Sequence, residues 1–286
     1  MRARALAALT LLLGLSGCTG LFFQPMSEHV FDPKTIGFVY EDVTFEAADG
    51  VRLHGWFFPA EGERDGSVLF LHGNAENIST HFAGVAWLAK AGIDAFVVDY
   101  RGYGRSLGEP TLDGLHRDAA AALDTLIAMP GIEPERIAVF GQSLGGAVAL
   151  GMVAASPHKD RLAALIVEGT LSDYRAIARE KLGDFWLTWP LQWPLGLTID
   201  NRYSPTAAAA LITPLPLLII HGQEDEIVPP HHAEILFDAA KEPKTIWRPP
   251  DTGHIQAFAT VAMRERLRDY LTALFAGRAP PHQARE

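Results

Sequence analysis

The sequence predicts an α/β fold in which a mostly parallel central sheet is flanked by helices. Short apolar runs alternate with stretches of helical pattern, and continuous apolar runs are typical of parallel strands buried on both faces. These runs cover residues 68–71, 95–98, 137–140, 162–167 and 215–220. Before them, Asp49-Gly50 separates two strand-like segments, which predicts an opening hairpin.

Helical candidates lie between the apolar runs, as an α/β architecture requires. They cover residues 81–91, 115–129, 146–155 and 231–240, and a last one at 255–275 closes the fold. We therefore predict one domain over 39–276, followed by a flexible tail at 277–286. Residues from about 172 to 205 break the alternation.

The amino-acid composition argues against several classes of function. Of the 286 residues, 48% are hydrophobic, so the chain can bury one large core. The formal net charge of −10 disfavours nucleic-acid binding through a broad positive field. Cys18 is the only cysteine, which excludes an internal disulfide and a cysteine-based zinc site. No motif indicates a metal, a nucleotide or a flavin, so no cofactor is expected.

The first residues have the pattern of a targeting segment. Arg2 and Arg4 precede an apolar stretch at 5–15, which is too short to span a bilayer comfortably. The stretch ends in Leu-Ser-Gly-Cys18, which resembles the bacterial lipobox. We predict a lipoprotein signal peptide at 1–17, lipidation of Cys18 and a tether at 18–38. The alternative is an ordinary cleaved signal with a chance cysteine.

The residue that follows Cys18 bears on the location of the protein. Thr19 stands where lipoproteins retained at the inner membrane usually have aspartate. The predicted location is therefore the periplasmic face of the outer membrane.

The pattern Gly-x-Ser-x-Gly, typical of a nucleophilic serine on a tight strand-to-helix turn, occurs twice, around Ser106 and around Ser143. Ser143 follows a strand-like run at 137–140 and precedes a helix start rich in small residues. Ser106 has neither neighbour, and Pro110 disfavours helical geometry just after it. The context selects Ser143 as the nucleophile.

The order of several motifs over residues 40–276 resembles the α/β-hydrolase superfamily. The motifs are the His72-Gly73-Asn74 loop, the loop at 99–106, the serine motif, the acidic loop at 221–229 and Gly253-His254. The first two loops resemble those of serine-aminopeptidase-like, depalmitoylase-like and monoacylglycerol-lipase-like enzymes.

The resemblance implies a catalytic triad in the chain order Ser143, Asp225, His254. Histidine suits the role of base because its ordinary pKa lies near neutral pH. Glu224 and Glu226 flank Asp225 and are alternatives for the acid.

The resemblance also implies an oxyanion hole. Two backbone N–H donors are expected, from Leu144 after the nucleophile and from Asn74 after the third strand. His72 is expected to have a structural role in the same loop.

The resemblance also implies a small lid insertion at about 172–205, and this segment is rich in tryptophan. Trp186, Trp189 and Trp193 are expected either to line an acyl pocket or to pack the lid on the domain. The leading function is hydrolysis of esters or thioesters, with lipid-like substrates favoured by the membrane anchor. One alternative is hydrolysis of peptides or amides, with Asp173 and Asp184 as candidates for holding an amino group. Another is a non-catalytic binding protein on a hydrolase scaffold.

Overall fold

An eight-stranded sheet forms the centre of the protein in a computed structural model that describes residues 23–183, 188–197 and 199–279. The strands are β1 (Glu41–Glu46), β2 (Arg52–Phe58), β3 (Gly66–Leu71), β4 (Ile93–Asp99), β5 (Ile137–Gln142), β6 (Ala164–Glu168), β7 (Leu217–Ile220) and β8 (Lys244–Trp247). Their order is β8-β7-β6-β5-β3-β4-β2-β1. Strands β3 to β8 run parallel to one another, whereas β2 pairs antiparallel with β4 on one side and with β1, in the predicted hairpin, on the other. The predicted fold class is confirmed.

The burial of each strand explains its place in the sheet. Every residue of β3, β4, β5, β6 and β7 is buried, which matches their continuous apolar sequences. Strand β1 alternates between exposed and half-buried residues and lies at the edge. Alternate side chains of β3 point to opposite faces, with Leu69 and Leu71 in one core cluster and Val68 and Phe70 in the other.

The helices of the described chain cover both faces of the sheet. They are α1 (Ile78–His81), α2 (Leu112–Ala128), α3 (Leu144–Ala155), α4 (Tyr174–Gly183), α5 (Gln192–Gly196), α6 (Pro205–Ala209), α7 (His231–Ala239) and α8 (Val261–Phe275). Helices α2, α3 and α7 share one core cluster, and α8 belongs to the other. Among the residues described, no helix has both the length and the apolar sequence needed to cross a membrane.

Two predicted helices differ from the structure. The helix expected at 81–91 is instead the short α1 followed by two 3-10 turns, because the backbone of Val85 (φ −134°, ψ −23°) leaves helical geometry. The helix expected at 255–275 begins only at Val261, because the side chain of Thr260 caps that end by accepting a hydrogen bond from the Met263 N–H.

The predicted tether is folded against the domain in its described part, residues 23–38. Gln24–Pro25 pairs in parallel with Ala75–Glu76, in the loop that follows β3. The side chain of Asn77 donates hydrogen bonds to the carbonyl oxygens of Met26 (2.9 Å) and Glu28 (2.7 Å). Residues 23–38, which we call the lead-in, therefore lie beside the carboxyl end of the sheet. Cys18 lies outside the described residues.

Arg101 fixes the loop that follows β4. Its guanidinium donates to the buried carboxylate of Asp118 (2.7 Å from Nη2) and to Asp49 (2.8 Å from Nη1). Burial raises the pKa of Asp118 although its hydrogen bonds to Arg101 act to lower it, so this carboxylate depends on its partner.

Replacing Arg101 with alanine should destabilise the protein by about 3–5 kcal/mol, because Asp118 would remain buried without its counter-charge. Urea denaturation of the two proteins measures this difference. Arg136→Ala is the control, since it removes an exposed ion pair with Glu133 and should leave the unfolding midpoint nearly unchanged. Equal midpoints for wild type and Arg101→Ala would contradict the prediction.

Candidate active site

Ser143 lies at the sharp turn between β5 and α3. Its backbone has φ 54° and ψ −119°, a conformation rarely adopted by a residue with a side chain, and such strain costs about 1–3 kcal/mol. The Ser143 N–H donates a 2.8 Å hydrogen bond to the carbonyl oxygen of Glu168, at the end of β6. The turn is therefore held from the neighbouring strand.

Two glycines allow this turn to pack tightly. A Cβ atom on Gly145 would overlap the carbonyl oxygen of Leu71 in β3, and one on Gly146 would overlap the side-chain oxygen of Thr170. The first turn of α3 thus packs between the end of β3 and the loop that follows β6, at the carboxyl edge of the sheet. This close packing explains why the motif needs small residues after the serine.

His254 and Asp225 form a hydrogen-bonded pair, with 2.7 Å between Nδ1 of the imidazole and Oδ2 of the carboxylate. The other oxygen, Oδ1, accepts from the backbone N–H groups of Ile227 (2.9 Å) and Val228 (2.8 Å). Because an ionised carboxylate only accepts, the neutral imidazole of His254 adopts the tautomer with the proton on Nδ1 and the lone pair on Nε2. That tautomer is the one a general base needs.

The environment of Asp225 keeps it ionised. Burial acts to raise its pKa, but hydrogen bonds from His221 and His254 and from the Val228 N–H outweigh that effect and hold the pKa well below its usual range. Nε2 of His221 lies 3.3 Å from Oδ2 of Asp225. The acid is therefore negative over the whole range in which an imidazole titrates.

A cavity of about 500 Å³ brings the predicted residues together. Ser143, Leu144, Asn74 and His254 all line it, whereas Asp225 lies behind His254. Its walls are mainly apolar, and the lining includes Phe23, Leu112, Leu171, Tyr174, Ile177, Ala178, Ile199, Ile227, Val228 and Ile255. Lys181 and Asp200 add charged groups to the lining.

Leu144 and Asn74 occupy positions suited to an oxyanion hole. Leu144 is the first residue of α3, where a backbone N–H has no partner within the helix. The Tyr103 hydroxyl donates to the carbonyl oxygen (2.7 Å) and to the side-chain oxygen (3.2 Å) of Asn74, which fixes the loop beside the nucleophile.

The contacts of Ser106 and His72 give both residues a structural role. The Ser106 hydroxyl donates to the Asp99 carbonyl oxygen (2.6 Å) and accepts from the His54 N–H (2.9 Å). His72 is fully buried, and burial lowers its pKa to about 4. Neither residue lines the cavity.

The structure corrects the expectation for two of the lid tryptophans. Trp189 and Trp193 are 60% and 63% exposed, and neither lines the cavity. The ring of Trp193 lies instead under the guanidinium of Arg179, 4.5 Å from the ring centroid. Trp186 falls outside the described residues.

The lid contributes to the cavity through α4, a segment that no sequence motif marks. Tyr174, Ile177, Ala178 and Lys181 line it. Their spacing of three and four residues places them on one face of a helix, a pattern visible in the sequence. Phe23 and Gln24 also line the cavity, and only the folding of the lead-in brings them there.

Within the part of the chain that the structure describes, two groups of side chains have the chemistry to hold a metal ion, and neither contributes to the cavity. One comprises His29, His54 and Asp99, and the other comprises Glu180, His231 and His232. The first joins the lead-in to the sheet, since Nε2 of His29 lies 2.9 Å from the Asp99 carboxylate.

The fold and this site define a member of the α/β-hydrolase superfamily. A model of the family described as "Serine aminopeptidase, S33" matches residues 62–206, and the chain belongs to that family. It is 34% identical to the uncharacterized protein YfhR of Escherichia coli K12 over 257 residues, which cover 87% of this chain and 86% of that protein. It is 36% identical to the alpha/beta hydrolase domain-containing protein WAV2 of Arabidopsis thaliana over 223 residues, 74% of this chain and 71% of that one.

Solved structures agree on the fold. The Pyrococcus furiosus esterase Pf2001 is similar with a TM-score of 0.68 and 19% identity, over 90% of this chain and 98% of that chain. At this identity, the likeness shows the shared fold alone.

Ser143→Ala should abolish covalent labelling of the folded protein by a fluorophosphonate probe, because the probe needs an activated serine. Ser106→Ala is the matched control, since it alters the other copy of the motif and should label like wild type. Gel fluorescence and peptide mapping measure the label. If labelling survives in Ser143→Ala, or disappears only in Ser106→Ala, the nucleophile is a residue other than Ser143.

Proposed function

We propose that this hydrolase cleaves carboxylic esters or thioesters through an acyl-enzyme formed on Ser143. The proposal rests on one arrangement of side chains. Ser143, on a strained turn, shares an apolar cavity with His254, and Nδ1 of His254 is hydrogen-bonded to the buried, ionised Asp225. This is the arrangement that activates a hydroxyl for attack on a carbonyl.

The reaction follows from the roles of these groups. Ser143 Oγ attacks the substrate carbonyl while Nε2 of His254 takes the hydroxyl proton. The N–H groups of Leu144 and Asn74 stabilise the oxyanion. His254 then gives its proton to the leaving alcohol or thiol, which departs and leaves the acyl group on Ser143. In the second half, His254 takes a proton from a water molecule that attacks the acyl carbon. The bond to Ser143 Oγ then breaks, His254 returns the proton to Oγ, and the acid is released.

The cavity favours a substrate with an apolar acyl group. Its volume lies within the usual range for small-molecule sites, and its walls offer mainly aliphatic and aromatic contacts. Burying each methylene of an acyl chain there contributes about 0.8 kcal/mol. We therefore propose lipid-like esters as the substrate class.

The surroundings of Asp173 disfavour the alternative of an aminopeptidase. Its Oδ1 accepts from the N–H groups of Arg175 and Ala176, and its Oδ2 accepts from Asn201 (2.6 Å). This carboxylate caps α4 and does not line the cavity, so the expectation that it holds an amino group is not met. Asp184 lies outside the described residues.

A larger side chain in the acyl pocket should shift the substrate preference toward shorter acyl chains. In Ile177→Trp the larger side chain occupies the wall formed by α4, so kcat/KM for long p-nitrophenyl esters should fall at least tenfold while short esters are affected less. Ile235→Trp is the control, because Ile235 is exposed and lies outside the cavity lining. An unchanged chain-length profile in Ile177→Trp would contradict the proposed pocket.

We also propose that Cys18 is lipidated and holds the enzyme at the periplasmic face of the outer membrane. Phe23, which lines the cavity, follows Cys18 by five residues, and an extended segment of that length spans at most about 18 Å. A lipid on Cys18 would thus keep the cavity close to membrane-borne esters. Two or more acyl chains give stable anchoring.

Cys18→Ser should move the protein from the membrane fraction to the soluble fraction of the cell envelope, because the attachment point is lost. Fractionation and incorporation of labelled palmitate measure this, with Ser16→Ala as a control that keeps the cysteine. Membrane retention of Cys18→Ser, together with unchanged labelling, would contradict lipidation at this position.

A further inference from the structure

A buried glutamate joins the two catalytic loops. Glu168 is the last residue of β6, only 1% exposed, and lies between Gln142 of β5 and Ile220 of β7 in the sheet register. Strand β5 leads into the nucleophile, and β7 leads into the loop of Asp225. The side chain therefore stands at the centre of the carboxyl edge of the sheet.

Each oxygen of the Glu168 side chain serves a different loop. Oε2 accepts a 2.7 Å hydrogen bond from the side-chain amide of Gln142, the residue before Ser143. Oε1 accepts a 2.9 Å hydrogen bond from the backbone N–H of Ala257, three residues after His254. The Glu168 carbonyl oxygen accepts the N–H of Ser143 itself.

The loop of His254 needs such an anchor because its backbone is strained. Ile255, directly after the histidine, has φ 49°, which is costly for a β-branched residue. On the other side, Gly169 follows Glu168 with φ 58°, and a Cβ atom there would lie 3.1 Å from Nδ1 of His254. The end of β6 thus forms the surface against which the imidazole is held.

The geometry points to Glu168 as a positioning residue that fixes His254 relative to Ser143, an inference that rests on the proposed function. Its carboxylate accepts both from Gln142, directly before the nucleophile turn, and from Ala257 in the histidine loop. A misplacement of about 1 Å between reacting groups can reduce a rate about 100-fold.

Glu168 also places a titratable group close to the base. Burial raises its pKa, whereas the hydrogen bonds from Gln142 and Ala257 and the nearby His254 and His221 act to lower it. In its ionised form it favours the positive imidazolium that develops during the reaction. Substitutions of Glu168 can separate the effect of its hydrogen bonds on the position of His254 from the effect of its charge.

Three variants test the inference in the mature chain. Glu168→Ala removes both hydrogen bonds, and Glu168→Gln keeps the shape and one acceptor but removes the charge. Asp94→Ala is the matched control: Asp94 is a buried carboxylate at the opposite edge of the sheet that accepts from the Ala60 N–H (2.8 Å) and the Ser67 hydroxyl (2.9 Å). Its loss should reduce stability without reaching the site.

We expect kcat on a short ester to fall about 100-fold in Glu168→Ala with KM changed less than threefold, and to recover to within about tenfold of wild type in Glu168→Gln. Asp94→Ala should keep the wild-type kcat at a temperature where it is folded.

Two results would overturn the inference: kcat within twofold of wild type in Glu168→Ala, or an equal loss of kcat in Asp94→Ala. If Glu168→Ala does not fold, Glu168→Asp takes its place, since the shorter side chain cannot reach both partners. Fluorophosphonate labelling separates the two proposals. A wild type that is not labelled contradicts the proposed function, whereas a labelled wild type with equally fast labelling of Glu168→Ala contradicts only the role of Glu168.

Discussion

The strained backbone of Ser143 is the constraint on which the rest of the site depends. A residue with a side chain occupies φ 54° only when the surrounding structure compensates for the strain. Here that support comes from the Glu168 carbonyl oxygen, which holds the Ser143 N–H, and from Gly145 and Gly146, which let α3 start directly against two loops. The turn aims the serine into the cavity and leaves the N–H of Leu144 at the free end of a helix.

The parallel sheet explains why distant parts of the chain meet at this turn. Because β3, β5, β6 and β7 run in the same direction, the loops that follow them gather at one edge, where ligands of open α/β sheets bind. Asn74, Ser143, Glu168 and Asp225 each follow or end one of these strands. The lid helix α4 and the lead-in then close an apolar cavity over that edge.

The sequence predicted the parts of this arrangement that depend on local pattern. Continuous apolar runs located the buried strands, and the strand before Ser143 distinguished it from Ser106. The inner wall of the cavity could not be predicted in the same way. Trp189 and Trp193 suggested a pocket by their chemistry alone, yet the lid turns them to the surface, and packing rather than hydrophobicity decides which face is covered. Gln24 pairs with Ala75, and Glu168 accepts from Gln142 and Ala257, which are 26 and 89 positions away. No local pattern reveals such contacts.

A crystal structure of the protein inhibited by a long-chain alkyl fluorophosphonate tests the central claim most directly, because the adduct mimics the tetrahedral intermediate. We expect phosphorus bonded to Ser143 Oγ, a phosphonyl oxygen within about 3 Å of the N–H groups of Leu144 and Asn74, and the alkyl chain against Tyr174 and Ile177. A phosphonyl oxygen turned away from both N–H groups, or an alkyl chain outside the cavity, would contradict this expectation.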